Sequence, residues 1–379
     1  MSEMLRIAQV ANFIGPCSGG MRTAVNALGA RYAASGVQRL LISPGPEDSI
    51  EHTPDGTHIL LRAPQVSSGG YRMILEPWRV LKVLEQFQPT SVEISDKSTL
   101  LPVARWAKRM GVGCIQFSHE RLDAMLALRI GIRTGTSTGI SAGVSALHRV
   151  ASRMFDAIVI TSRYAAGEFP DVAVRRLRHI PLGVDLAVFQ PRVEPMPPDG
   201  VLRLVHAGRL SREKSPELAV ATAVELHRRS VPVQMDVYGQ GPMLGKLQAL
   251  AAGAPVTFHG YIGDRRVLAD RLGAADIALS VCPGETFGLA ILEALASGTP
   301  VVTADRGGGR ELVTEASGAW AVPEPPALAD AVLDLAKRDT PATRIAARQR
   351  AEQFDWAETT SSMLRLHHEV TARVGRQPW

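Results

Sequence analysis

Twice along this chain, short β-rich runs alternate with helix-length stretches, and a Pro-rich break separates the two series. That alternation constrains the fold more than any other feature. Strands joined by helix-length connections run parallel, so each series reads as an α/β unit built on a parallel sheet. In the first series the expected strands are Leu5–Ala11, Arg39–Ser43, Thr57–Arg62, Ser91–Ile94, Gly113–Ser118, Ala157–Thr161 and His179–Leu182. Met21, Ala24, Val25, Leu28 and Tyr32 recur at helix spacing, which predicts a helix from about Met21 to Ser35. In the second series the expected strands are Leu202–Ala207, Val233–Tyr238, Val256–His259, Ile277–Val281, Pro300–Thr303 and Ala319–Val322. The break, with Pro191, Pro195, Pro197, Pro198 and Gly200, has little apolar content and reads as an exposed linker. The expected organisation is an N-terminal domain over 1–185, a linker over 186–200 and a C-terminal domain over 201–353. The tail 354–379, with Phe354, Trp356 and a helical pattern through Met363, Leu364 and Leu366, is expected to be a helix returning to the first domain.

Composition agrees with two packed domains. A chain of 379 residues is long enough for two units of roughly 100–200 residues each. Apolar residues make up 45%, which supplies a core to both. The formal net charge of +5 suits anionic small molecules or an anionic membrane surface, and no dense Lys/Arg run with aromatics suggests nucleic acid. Cys17, Cys114 and Cys282 are too few and too scattered for a disulfide framework, which fits a reducing compartment. The N-terminus does not read as a signal peptide, and no apolar run reaches the roughly 18 residues of a membrane span. The expected location is the cytoplasm, with the inner face of the plasma membrane as a surface for peripheral contact.

Three motifs carry chemistry. Gly15-Pro16-Cys17-Ser18-Gly19-Gly20 follows a strand and opens a helix, where glycines allow close approach and the helix start attracts anions. It matches neither a dinucleotide fingerprint nor a P-loop, and alone it also reads as a tight strand-to-helix turn. Gly208-Arg209-Leu210-Ser211-Arg212-Glu213-Lys214-Ser215 again joins a strand to a helix, and Arg209 with Lys214 can neutralise a diphosphate or simply be solvated. The third runs from Pro283-Gly284-Glu285-Thr286-Phe287-Gly288-Leu289 into Ala290-Ile291-Leu292-Glu293-Ala294-Leu295-Ala296, stopped by Gly298. Glu285 lies at the helix start and Glu293 further along it, a separation that suits a sugar, a diphosphate and a ribose in series. A Glu inside an apolar helical run needs a partner.

These motifs, in this order, resemble family 4 retaining glycosyltransferases of the GT-B fold, over essentially the whole chain. The resemblance implies two Rossmann-like doubly wound domains facing a central cleft. It implies that Arg209 and Lys214 bind the donor diphosphate, and that Glu285 contacts the donor sugar beside the backbone N–H groups of Phe287, Gly288 and Leu289. Glu293 would then bind ribose, and Gly19 and Gly20 would close over the phosphates. Ser118-His119-Glu120 matches the family position whose His faces the reacting centre, so His119 and Glu285 are the catalytic candidates. His119 can be neutral or charged near neutral pH.

A closer resemblance is to actinobacterial GDP-mannose-dependent phosphatidylinositol mannoside mannosyltransferases. It rests on Gln9-Val10-Ala11-Asn12-Phe13, Ser18-Gly19-Gly20-Met21-Arg22-Thr23-Ala24-Val25, Gly69-Gly70-Tyr71-Arg72, Ser118-His119-Glu120-Arg121-Leu122-Asp123 and Pro181-Leu182-Gly183-Val184-Asp185. It implies retaining transfer of mannose from GDP-mannose, as a substrate rather than a cofactor, to a glycolipid acceptor through an alpha-1,6 linkage. Tyr71 and Arg72 are acceptor candidates by this resemblance alone.

Arg121, Arg129, Arg133, Arg149 and Arg153 face a single acid, Asp123, across 121–153, a strip that suits phosphoinositide head groups or bulk solvent. A helix is expected from Glu76-Pro77, with Val80, Leu81, Leu84 and Phe87 as its apolar face and Trp78, Arg79 and Lys82 available to a membrane interface. The two cations of the second motif can substitute for a metal, so no metal is expected in the reaction. His259-Gly260-Tyr261-Ile262-Gly263-Asp264 is expected to meet the base. Two other readings stay open: a UDP-sugar-dependent transferase acting on inositol phosphate or another small acceptor, and a non-catalytic protein that binds sugar nucleotides.

Overall fold

The computed structural model describes residues 4–12, 14, 19–66, 71–121, 152–170, 172–192, 199–338 and 340–374. Gly15–Ser18 of the first motif, Gly69-Gly70, and the basic strip apart from Arg121 and Arg153 lie outside them. The chain divides into two compact units. One takes the described residues up to Pro181 together with those from Trp356 onward; the other takes Leu182–Asp355.

The first unit is built on an eight-stranded sheet in the order β3-β4-β2-β1-β5-β6-β7-β8. Its strands are β1 (Arg6–Val10), β2 (Gln38–Gly45), β3 (Ser49–Thr53), β4 (Gly56–Arg62), β5 (Ser91–Ile94), β6 (Gly113–Ser118), β7 (Ala157–Ile160) and β8 (Leu177–His179). All pair in parallel except β3, which folds back on β4. Two strands depart from expectation. β3 carries no apolar alternation, since four of its five residues are exposed, so the pattern is silent there. The strand expected at His179–Leu182 lies earlier, at Leu177–His179, because Ile180 N makes the last ladder bond and Pro181 has no N–H to continue it. Helices α1 (Gly20–Ala34), α2 (Pro77–Phe87) and α3 (Leu101–Met110) make the crossovers, and α4 (Arg163–Ala166) is a single turn. Val80 and Leu84 of α2 are buried, Leu81 and Phe87 pack on the same core, and Trp78 is 61% exposed.

The second unit has a six-stranded, all-parallel sheet in the order β11-β10-β9-β12-β13-β14. Its strands are β9 (Leu202–Ala207), β10 (Val233–Tyr238), β11 (Val256–Gly260), β12 (Ile277–Ser280), β13 (Val301–Ala304) and β14 (Gly318–Ala321). The helices are α5 (Pro216–Arg228), α6 (Leu244–Leu250), α7 (Arg265–Gly273), α8 (Leu289–Ala296), α9 (Pro325–Ala336) and α10 (Thr340–Ala351). Leu204, Met235, Val237, Leu279, Val302 and Val332 form the middle of its core.

The last helix, α11 (Trp356–Val374), belongs to the first unit. Met363, Leu366 and Val370 are buried. Thr359 Oγ1 donates to Pro181 O at 2.9 Å, and a Cβ on Gly113 would stand 2.7 Å from Val370 Cγ2. Under this helix lies a buried polar network. Glu93 on β5 is 1% exposed and His367 on α11 is fully buried. His367 Nε2 is 3.5 Å from Glu93, and its Nδ1 is 2.8 Å from Ser91 Oγ. Tyr32 Oη donates to Glu93 at 3.2 Å and Gln9 Nε2 at 3.1 Å, while Arg39 Nε donates to Gln9 Oε1 at 2.8 Å.

Candidate functional site

In the second unit β9 lies between β10 and β12, so the strand order reverses there, and ligands of such sheets bind beyond the carboxyl ends at that reversal. Two loops leave those ends. The first, from Gly208 to Ser215, is clamped by main-chain bonds to the loop after β10. Gly208 N donates to Tyr238 O at 2.9 Å, Leu210 N to Gln240 O at 2.9 Å and Met243 N to Leu210 O at 3.0 Å. The approach is so close that a Cβ on Gly239 would stand 1.8 Å from Gly208 O, and one on Gly241 2.2 Å from Leu210 O. Neither glycine was singled out in the sequence, yet both fix the backbone that presents Arg209. Arg209 pairs with Glu213 Oε1 at 3.3 Å, and Ser211 Oγ donates to the same oxygen at 2.7 Å.

The second loop follows β12 and carries Glu285. Lys214 Nζ donates to both Glu285 oxygens, at 3.0 and 2.8 Å. Burial pushes the Glu285 carboxyl up, but the Lys214 charge and bond, with N–H groups of Phe287 and Thr286, outweigh it and hold it below its usual range. Glu285 is therefore an anion at neutral pH. Its loop is held by Gly308 N donating to Glu285 O at 2.6 Å. Gly288 then caps α8 with φ +107°, a left-handed conformation that favours glycine. Leu289 and Ala290 open the helix, where first-turn N–H groups lack intrahelical acceptors. Phe287 turns its ring into the core, 6.3 Å from Phe354. Cys282 is buried, donates Sγ to Glu213 O at 3.1 Å, and is pushed up to about 12 by burial and by Glu285, so it stays a thiol.

Further along α8, Glu293 sits among buried Ile291, Leu292, Ala294 and Leu295. Its partner is Arg265, 2.9 Å from Oε1, a residue that sequence patterning missed. Burial raises the Glu293 carboxyl and Arg265 opposes that rise.

In the first unit His119 follows β6. Its ring stacks on Phe117 with centroids 4.4 Å apart, and Nε2 is 3.0 Å from Ser95 Oγ. Burial pushes its conjugate acid down to about 4; Glu93 opposes this and Lys97 adds to it. Lys97 is anchored on the buried carboxylate of Glu168 and on Glu120 O. The open choice between neutral and charged His119 thus resolves to neutral. NMR of the imidazole nitrogens is expected to show no protonation of His119 between about pH 7.5 and about pH 5.5, and a titration near the ordinary 6.5 would contradict the burial argument.

Gly19 precedes α1 with φ −84° and ψ −113°, and among the described residues nothing lies within 4 Å of a Cβ built on it. Arg72 Nη1 donates to Ala63 O at 2.6 Å, and Tyr71 O accepts from Val66 N at 2.8 Å. Arg79 on α2, expected to be available to a membrane, is paired with Asp48 at 2.7 Å. The structure therefore gathers Arg209, Lys214, Glu285, Gly288 and Leu289 at one sheet end, with Glu293 deeper on the same helix. His119, Gly19, Gly20, Tyr71 and Arg72 belong to the other unit. Among the described residues no group of three or more His, Cys, Asp or Glu could hold a metal ion, and no helix is long and apolar enough to cross a membrane.

Residues 202–338 match the family model for glycosyl transferases group 1, and residues 19–184 match that for the glycosyl transferase 4-like domain. The chain is 39% identical over 369 residues to a GDP-mannose-dependent alpha-(1-6)-phosphatidylinositol dimannoside mannosyltransferase of Mycobacterium tuberculosis (strain ATCC 25177 / H37Ra), covering 95% of each chain. It is 31% identical over 244 residues to a D-inositol 3-phosphate glycosyltransferase of Xylanimonas cellulosilytica, covering 58% of each. Among solved structures, sucrose-phosphate synthase from Thermosynechococcus elongatus shares the fold with a TM-score of 0.78 at 21% identity, over 97% of this chain and 100% of that one.

Proposed function

This chain belongs to the glycosyltransferases that join a 4-like domain to a group 1 domain, and from that premise we propose that it moves mannose, with retention, from GDP-mannose to a phosphatidylinositol mannoside through an alpha-1,6 linkage. The observation that carries this reading is the end-to-end likeness to the mycobacterial dimannoside mannosyltransferase.

The chemistry follows from the second unit's loops. Breaking the sugar–phosphate bond builds negative charge on the leaving diphosphate and positive character on the sugar. Arg209, Lys214 and the first turn of α8 meet the former, and the Glu285 anion meets the latter. His119, as a neutral imidazole, is proposed to hydrogen-bond the transferred sugar, and Glu293 the ribose hydroxyls. Gly19 and Gly20 are proposed to admit the phosphates closely, and Tyr71 and Arg72 to meet the acceptor. No enzyme nucleophile is assigned, and the inert Cys282 thiol offers none. The reading places the chain in the cytoplasm, with exposed Trp78 and Lys82 on α2 touching an anionic membrane face that holds the lipid acceptor.

A screen of radiolabelled GDP-mannose against UDP-sugars, with mycobacterial lipid extract as acceptor, tests the proposal. Mannose is expected in the lipid fraction, and stronger transfer from a UDP-sugar would overturn the donor assignment. The likeness to a D-inositol 3-phosphate glycosyltransferase supports the acceptor of the second reading, inositol phosphate with a UDP-sugar donor, and the same screen with inositol phosphate added as a second acceptor separates the two. Two fixed cations can take a metal's place, so activity is expected to survive EDTA. Activity lost to EDTA and restored by Mg²⁺ would contradict that.

A further inference from the structure

The proposed donor chemistry uses Glu293 but leaves its partner unexplained. Glu293 stands in an α8 segment where its neighbours Ile291, Leu292, Ala294 and Leu295 are buried, so its ionised form is penalised. Arg265, the first residue of α7, reaches across 28 residues of sequence to bond one carboxylate oxygen, Oε1, at 2.9 Å. Its Cζ lies 4.9 Å over the ring of Phe189, which fixes the plane of the guanidinium. The Glu293 side chain is 10% exposed and that of Arg265 41%, so the cation stands between the carboxylate and solvent. Among the described residues the charge that acts on Glu293 is that of Arg265. Arg344 on α10 turns to Ala275 O and Gly273 O, and Arg350 to Leu312 O and Glu311 O. Arg348 on α10 turns to Ala296 O and Phe189 O, and Arg310 of the Gly308–Leu312 turn lies over the Trp320 ring.

We propose that Arg265 is a positioning residue for nucleotide recognition: stacked on Phe189, it holds Glu293 ionised and oriented so that its remaining oxygen accepts hydrogen bonds from the ribose diol. The proposal rests on the reading of this unit as a nucleotide-sugar site. An ionised carboxylate accepts from two vicinal hydroxyls, whereas a protonated one gives up an acceptor and becomes a donor. Without Arg265 the burial that already raises the Glu293 carboxyl would act unopposed. The group would then protonate as pH falls, and the preference for ribose over deoxyribose would fall with it.

Calorimetric titration of the full chain with GDP and 2′-deoxy-GDP, and with the corresponding uridine pair, tests this on wild type, Arg265→Met and Arg265→Lys. The affinity ratio of ribo- to deoxynucleotide is the readout, because titration of the diphosphate cancels in it. In wild type the ratio is expected to be about tenfold or more and flat from about pH 8 to about pH 6. In Arg265→Met it is expected to drop to about threefold or less and to decline further as pH is lowered, and Arg265→Lys is expected to restore the flat profile in part. An Arg265 that only packs against Phe189 would weaken both nucleotides alike and leave the ratio unchanged, which would overturn the proposal. Wild type binding neither GDP nor UDP would instead overturn the nucleotide-site reading, and this assignment with it.

Discussion

Glutamine in place of Glu285 is expected to lower kcat by roughly 10²–10³-fold, about 3–4 kcal/mol of transition-state stabilisation, with a much smaller change in donor KM. The substitution keeps the side chain's size and an oxygen for the N–H groups of Thr286 and Phe287, so the loop geometry survives. It removes the one negative charge that both Lys214 bonds serve. Lys214 is then a half-buried cation without the Glu285 charge, and its attraction to the ground-state diphosphate grows. Positive character on the sugar meets no anion. Binding therefore holds while the chemical step slows. Initial-rate kinetics against the donor check this, and a variant that loses affinity without losing kcat would show that Glu285 only binds the sugar.

The second large effect concerns stability. Glu93→Gln is expected to destabilise the first unit by about 3 kcal/mol, the lower end for breaking a buried ion pair from one side. Buried Arg39 loses the negative charge that acts on it most strongly, linked to it through Gln9, and His367 loses the carboxylate it faces. The melting temperature should fall by roughly 6–12 °C at neutral pH. Asp334→Asn, which removes an exposed partner of Lys337, should shift it by less than about 2 °C. Burial tends to raise the Glu93 carboxyl, yet nearby His367 and the bond from Gln9 bring it below its ordinary 4.5. The folded value is thus depressed. Its contribution is present above about pH 4.5 and is lost as pH falls through the folded value, so the gap between wild type and variant should narrow in acid. A gap that stays constant on acidification would mean the charge on Glu93 does not carry the effect.

The parallel strands were legible where one rule dominated. Ser91–Ile94, Gly113–Ser118, Leu202–Ala207 and Val233–Tyr238 are apolar-rich runs bounded by turn residues, and they stand as read. The Ser49–Thr53 strand was not, because an exposed edge strand needs no apolar face. Loops after β9 and β12 were legible as ligand loops because glycines, fixed cations and a carboxylate stand at strand ends. Their pairing was not. Lys214 meets Glu285 across 71 residues and Arg265 meets Glu293 across 28, and neither periodicity nor spacing encodes which charges a fold brings together. The burial argument did call for a partner to Glu293, without its name. Gly239 and Gly241 were equally silent, since what they avoid is a backbone 31 residues away.

The tail helix sets an order of events on the ribosome. The strands of the first unit are translated before the second unit, but their sheet is covered in part by Trp356–Val374, which emerges after it. Until His367 arrives, Glu93 and Arg39 face an unfinished interior. Vectorial synthesis therefore completes the second unit before the first, against the usual N-terminal-first sequence. A stop codon just ahead of Trp356 would therefore damage the unit made earlier, leaving the group 1 domain folded beside an open, aggregation-prone partner.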